Sequence, residues 1–296
     1  MPPSRKKLSI TIVGAGRVGT ALACGLHRRG YRIVSVISRS LTSARTLARH
    51  VGCRLASTDL RDVSPDTNLL IVATPDQEVA STARRLAVAA PMAFRHAAVF
   101  HTSGVLTTDV LRPLARRGSL VFALHPISTF PHRIATRADL GRLNGLAFGF
   151  QGPRRAVWLA REITAAFKGE LLILPKEEKI LYHTACVFAS NFVVALLEVA
   201  LTLLKRNGTV QQRRALLRLA KAALEAAEKS GPESALTGPV IRGDAATVAA
   251  HLAALRRRNR GEDRLYREIS RVALHIAQTR PSLSSSQLRH LHRLLA

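Results

Sequence analysis

Acidic residues and cysteine are both scarce in this sequence. Nineteen Asp and Glu stand against 45 Lys and Arg in 296 residues, a formal charge of +26. A surplus of that size is a criterion for nucleic-acid, anionic-lipid or phosphorylated-ligand binding. The arginines do not gather as a dedicated patch would. They recur as Arg28-Arg29, Arg84-Arg85, Arg116-Arg117, Arg154-Arg155, Arg213-Arg214 and Arg256-Arg257-Arg258, one set per helical stretch, as solvated helix faces do. No nucleic-acid recognition motif accompanies them, so nucleic acid is not expected as a partner.

The three cysteines, Cys24, Cys53 and Cys186, are far apart and never spaced as CxxC. That excludes a disulfide framework and a zinc site, and no metal is expected. Such cysteine usage belongs to a reducing, cytoplasmic compartment.

Long apolar runs are also rare. "ILYHTACVFASNFVVALL", residues 180–197, is long enough for a membrane span, but His183, Ser190 and Asn191 lie inside it. It is expected to be a central helix buried by protein, with no membrane association. Near the start, Arg5-Lys6-Lys7, an apolar run and Ala21-Leu22-Ala23-Cys24 imitate a lipoprotein signal. The imitation fails, because Gly14, Gly16, Arg17 and Gly19 interrupt the run and Ala21 stands where a larger aliphatic residue is usual.

What is present is a regular alternation. Short β-rich runs at 8–13, 32–37, 53–56, 69–73, 97–101 and 120–124 are separated by helical patterns such as 17–29 and 106–117, each followed by a glycine suited to a helix end. Runs at 146–150 and 170–174 flank a helix opened by Pro153 and are expected to extend the same sheet. After Pro175 only helical patterns follow, at 176–206, 211–230, 244–258 and 262–278. The fold class is therefore α/β, a doubly wound, mostly parallel sheet followed by an all-helical domain. The expected division is 1–174, 175–280, and a linker with a loosely held last helix at 281–296.

Within "SITIVGAGRVGTALACGL", residues 9–26, Gly14-Ala15-Gly16-Arg17-Val18-Gly19 forms a GxGxxG between a strand and a helix. Gly14 allows the tight turn, Gly16 lets backbone approach a pyrophosphate, and Gly19 lets the helix pack on the strand. The anion then rests on free amides at a helix N-terminus. Where an NAD site usually carries a carboxylate for the ribose, this chain reads Ser38-Arg39-Ser40. A guanidinium between two hydroxyls suits a 2′-phosphate, so NADP(H) is the expected cofactor. Ser40 is equally suited to cap the following helix.

Ligands in such folds bind beyond the carboxyl ends of the strands. Three places there carry chemistry: Thr74-Pro75-Asp76, His101-Thr102-Ser103-Gly104 and His125-Pro126. Thr74 and Pro75 would run along the cofactor, with His101 and Ser103 near its nicotinamide. Each has a structural reading beside the functional one: a capped helix start for Thr74-Pro75-Asp76, a helix cap for Ser103, a satisfied core imidazole for His125. Downstream, Lys179, His183 and Ser190 fall within about 40° on a helical wheel of 100° per residue, with Asn191 at the margin. This polar stripe offers proton donors in His183 and Lys179 and anchors in Ser190 and Asn191; solvation is the alternative for Lys179, His183 and Asn191 are preferred over it, and His183 and His125 are the expected acid/base groups. In "ALTGPVIRGDAATV", residues 235–248, Thr237 and Arg242 would bind a substrate carboxylate, unless Arg242 braces Asp244 within the loop.

Together "GAGRVGTAL", "HTSGVLTTDVL", "ALHPISTF", "KILYHTACVFASNFVVAL" and "ALTGPVIRGDAATV" resemble the Rossmann-like proteins with a DUF2520 domain, within the 6-phosphogluconate dehydrogenase C-terminal-like superfamily. The resemblance implies an NADP- or F420-linked oxidoreductase, usually a homodimer formed through the helices; F420 has no sequence support of its own. In the related β-hydroxyacid dehydrogenases a catalytic lysine is followed four residues later by asparagine. Here Lys179 is followed at that distance by His183, so that mechanism does not transfer. The expected activity is NADPH-dependent hydride transfer to a small carbonyl or imine, one bearing a carboxylate. The alternative is a non-catalytic NADP-binding sensor or scaffold.

Overall fold

The computed structural model describes residues 8–90, 96–130, 143–204, 209–279 and 283–296. Arg5-Lys6-Lys7, the expected helix end near Arg206 and Pro281-Ser282 lie outside the described residues. The chain divides into two compact units, residues 1–190 and 191–296.

The first unit is built on eight strands: β1 (Ser9–Val13), β2 (Arg32–Ile37), β3 (Ala56–Ser57), β4 (Leu69–Val72), β5 (Ala98–His101), β6 (Leu120–Pro126), β7 (Phe148–Gln151) and β8 (Leu171–Ile173). Their order is β3-β2-β1-β4-β5-β6-β7-β8. All neighbours run parallel except β6 and β7, which are antiparallel. The central strands are near-continuous runs of Ile, Leu and Val because both faces of a parallel sheet are covered. Ile10, Ile12, Phe100, Phe122, Phe148 and Phe150 face one side, under α1 (Arg17–Arg28), α2 (Leu41–His50) and Phe167. Val13, Leu70, Val72 and Val99 face the other, under α3 (Asp76–Ala89) and Leu111 and Leu114.

One polar feature interrupts this core. The register of β1 on β2 shifts between Ile10 and Thr11, so that Val34 is passed over and Ser35 comes opposite Thr11. The Thr11 hydroxyl then lies 2.6 Å from both Ser35 and Thr67. Thr67 donates to the Ser64 carbonyl at 2.6 Å, and the Ser64 N–H donates to Ser35 Oγ at 3.3 Å. With the Thr67 proton committed, Thr11 must donate to Thr67 and Ser35 to Thr11, so the bonds run one way around a closed ring.

Several local expectations are corrected. The single helix expected over 106–117 is a 3-10 turn, Thr108–Leu111, followed by the short α4 (Arg112–Ala115), because Pro113 has no N–H to continue a helix from the preceding turn. The third strand is Ala56–Ser57, shifted toward the C-terminus of the expected 53–56. After α5 (Val157–Ala166) and β8, the apolar run forms α6 (Lys179–Val187), a π-turn (Phe188–Phe192) and α7 (Val193–Leu203). Residues 175–190 belong to the sheet unit instead of opening the helical domain. Their anchors are Lys179, Tyr182 and His183, spaced i, i+3, i+4 on one face.

The apolar residues of this run are not buried as expected. Ile180, Leu181, Phe188 and Val194 are between 62% and 72% exposed, since the face of α6 turned to the sheet is the polar one. The stretch Lys179–Leu203 is long and apolar enough to cross a membrane by length and composition alone.

The second unit continues with α8 (Val210–Ser230), α9 (Pro232–Ala235), α10 (Ala245–Arg258), α11 (Arg260–Gln278) and α12 (Ser285–Leu295). Its core joins Val248, Leu252, Leu274, Ala277, Leu291 and Leu295. The last helix is therefore docked, where a loosely held one was expected. A capping box between Ser284 and Gln287 opens it, and Arg267 and Arg271 donate to the carbonyls of Leu294 and Leu295 at its end. Leu291→Ala is expected to lower the unfolding free energy by about 2–4 kcal/mol, as for other buried leucines. Urea titration monitored by helical ellipticity checks this; a loss below about 1 kcal/mol would mean that α12 is not part of the core.

Candidate active site

At the end of β1 the chain turns at Gly14, with φ of 109°. A Cβ there would stand 2.5 Å from the Ala73 carbonyl oxygen, and one at Gly19 would collide with the Gly14 carbonyl oxygen, so both positions require glycine. Gly16 differs, for a Cβ on it would meet nothing within 4 Å. It is the N-cap of α1, with no side-chain cap, and its neighbouring amides open into a cleft of about 390 Å³. Ala15 is buried beneath the turn, Arg17 is exposed, and Val18 packs toward the core.

The cleft runs from Gly14, Ala15 and Gly16 past Thr74 and Pro75 to Ser38, Arg39 and Ser40, and also reaches Ser43, Thr58 and Arg85, which the sequence reading did not single out. Thr74 Oγ1 is buried beside it with no hydrogen-bond partner. An orphaned hydroxyl, an uncrowded glycine and free helix-start amides along one groove fit the phosphates of a dinucleotide. Ser40 caps α2, accepting from the Ser43 N–H at 3.3 Å, while Arg39 is exposed at the rim.

Further along the same carboxyl edge, β5 and β6 end in a second cluster. Lys179 is completely buried and donates to the Ser103 carbonyl at 3.1 Å. The reading of Lys179 as solvated is thereby reversed. Burial pushes its ammonium down to about 8, partly opposed by the Asp76 carboxylate. His101 accepts from the Ser103 N–H on Nδ1 at 3.2 Å and lies 3.2 Å from the Thr107 carbonyl on Nε2. With both nitrogens engaged it braces the loop, and burial aided by Lys179 holds it down to about 4, hence neutral. Ser103 Oγ accepts from the amides of Val105 and Leu106 at 3.3 and 3.0 Å, so the hydroxyl caps the turn while the carbonyl holds the lysine.

His125 Nδ1 lies 2.7 Å from the Tyr182 hydroxyl, and its ring meets His183 edge-on at 5.9 Å. A Cβ at Gly104 would collide with His183 and stand 3.1 Å from His125 Nε2. The glycine therefore lets both rings close on the loop. Burial, with Lys179 and His183 adding to it, pushes His125 down to about 4. The structure thus gathers Lys179, His125, His183, Ser103 and His101, and adds Tyr182, which sequence reasoning missed.

The other expected residues fall at a break in the helix or within the second unit. The π-turn ends the 100° periodicity on which the stripe rested, and Ser190 Oγ donates back to the Cys186 carbonyl at 2.6 Å. Asn191 is exposed and opens the second unit. Thr237 and Arg242 are exposed on a loop of that unit. Asp244 there caps α10, holding the amide and hydroxyl of Thr247 at 3.0 and 2.7 Å, with Arg242 acting on it through space. Among the described residues no group of three or more His, Cys, Asp or Glu is placed to hold a metal ion.

A parallel sheet doubly wound by helices, with a glycine turn at its topological switch, defines a Rossmann-type protein. Residues 3–126 match the Rossmann-like domain and residues 146–273 the domain of unknown function DUF2520, so the chain joins these two domains. Among solved structures it is similar to a Bacteroides fragilis protein provisionally named an NADP oxidoreductase, at 26% identity over 92% of this chain and 100% of that one, with a TM-score of 0.74. A Thermotoga maritima protein is 25% identical over 91% and 98%, with a TM-score of 0.70. A variant imine reductase of Myxococcus stipitatus in complex with NAD+ shares the fold at 16% identity over 98% and 100%, with a TM-score of 0.63. No curated protein matches the sequence.

Proposed function

We propose that the chain is an NADPH-dependent oxidoreductase acting on a small carbonyl or imine that bears a carboxylate. One observation carries this reading: the phosphate cradle at Gly14–Gly19 and the Lys179–His125–His183 cluster occupy the carboxyl edge of a single sheet, within one unit. The similarity to a provisionally named NADP oxidoreductase supports it. When bound, the reduced nicotinamide supplies hydride to the substrate carbon, the C=O or C=N pair passing to the heteroatom. The protein must then deliver a proton there.

Lys179 is the donor best suited, being the buried cation of the cluster, lowered by burial only to about 8 so that the ammonium still prevails at pH 7. His183 and His125 line the approach, and Arg39 pairs with the 2′-phosphate.

Two measurements test the two halves. In a fluorescence titration NADPH is expected to bind at least about tenfold more tightly than NADH, and Arg39→Ala to remove that preference. Equal affinities in the native chain would sink the NADP assignment. In steady-state assays kcat/KM is expected to fall as pH rises through about 8, because the acid is lost, and Lys179→Met to cost about 10²–10⁴-fold without weakening NADPH. A Lys179→Met variant with native turnover would assign the proton elsewhere; tight NADPH binding with no turnover would favour a sensor.

The exposed apolar residues Val194, Leu196 and Leu203 of α7 further suit pairing with a second copy of this chain. Light scattering is expected to give twice the chain mass, reduced to one by Val194→Asp; a native chain that scatters as a monomer at micromolar concentration rules the dimer out.

A further inference from the structure

We propose that Tyr182 is a positioning residue that holds His125 as a neutral Nε2–H donor, so that the site activates a carbonyl oxygen in preference to a cationic iminium. The substrate class rests on the function proposed above; the role of Tyr182 does not.

The geometry begins with β6 and β7. His125 pairs with Gly149 across their antiparallel ladder. A Cβ at Gly149 would stand 2.5 Å from the Tyr182 hydroxyl oxygen, so only the missing side chain lets the phenol reach β7. There it lies 2.7 Å from His125 Nδ1, with the two rings perpendicular at 5.8 Å. Cys186, one turn further along α6, acts on the same phenol.

The hydroxyl can give its proton to the imidazole or to the sulfur. Thiol sulfur is a weak acceptor and imidazole nitrogen a strong one, so the proton points at Nδ1. A neutral imidazole that accepts on Nδ1 carries its hydrogen on Nε2, the nitrogen beside Gly104. Tyr182 is held far from ionising by burial, which keeps the proton available. Burial keeps His125 uncharged, with Lys179 from α6 and His183 one turn on adding to it. Asp76 at the start of α3 acts on Lys179.

This set of groups sorts substrates by charge. Reduction of a carbonyl builds negative charge on oxygen, which an Nε2–H and a lysine ammonium both stabilise. An iminium arrives already positive and gains nothing from either group. A neutral histidine is a hydrogen-bond donor and leaves proton delivery to Lys179.

The test uses the full chain with 15N-labelled histidine, His125→Gln assigning the signal. Native His125 is expected as the Nε2–H tautomer from pH 6 to 8, and Tyr182→Phe, which keeps the ring on Gly149, as a mixture including Nδ1–H. A doubly protonated His125 at pH 7, or an unchanged tautomer in Tyr182→Phe, overturns the positioning role whether or not NADPH binds. With NADPH, 2-keto acids are expected to exceed cyclic imines by at least about tenfold in kcat/KM, and Tyr182→Phe to lower kcat about tenfold with KM unchanged. Preference for the imine overturns the substrate class and leaves the positioning role of Tyr182 to the NMR spectra; failure to bind NADPH overturns the proposed function instead.

Discussion

A lysine ammonium taken completely out of water governs the arrangement at the carboxyl edge of the sheet. Removing such a charge from solvent costs several kcal/mol unless partners are supplied. The Ser103 carbonyl supplies one, and to aim it there the loop after β5 must turn sharply, with the serine hydroxyl capping the turn and His101 bracing it from below. Gly104 follows because no side chain fits between that loop and the two histidines. Neutral imidazoles follow too, since burial disfavours a second cation there and Lys179 repels one.

The glycine cradle was legible in the sequence because its cause is local. Positions 14, 16 and 19 carry the turn, the open approach and the helix contact within six residues. The strand runs were equally legible from their branched residues. The reversed direction of β7 was not, because a buried strand reads the same whichever way it runs. Nor was the exposure of the run at 180–197, since its apolar composition says nothing of which face meets the sheet.

The burial of Lys179 was hidden for a related reason: position near a helix start suggests solvent, and only the long-range packing of α6 on the β5 loop removes it. Ser190 and Asn191 were placed by extrapolating one helical period through residues 188–192, where the backbone makes a π-turn. Tyr182 left a trace that could have been followed. It shares the face of Lys179, His183 and Cys186, and Gly149 is a glycine inside a strand, a usual mark of close approach.

The ring of hydroxyls between β1, β2 and the start of β4 is small, yet it differs in kind from the apolar contacts around it. Apolar neighbours tolerate rotation and small slips, whereas a ring whose members each give one proton forward has a sense of circulation. Such a loop is complete or it is broken. It therefore acts as a parity check on strand registration: only the pairing that brings Ser35 opposite Thr11 closes the circuit, and that same pairing brings the ends of β1 and β2 level at the mouth of the cleft.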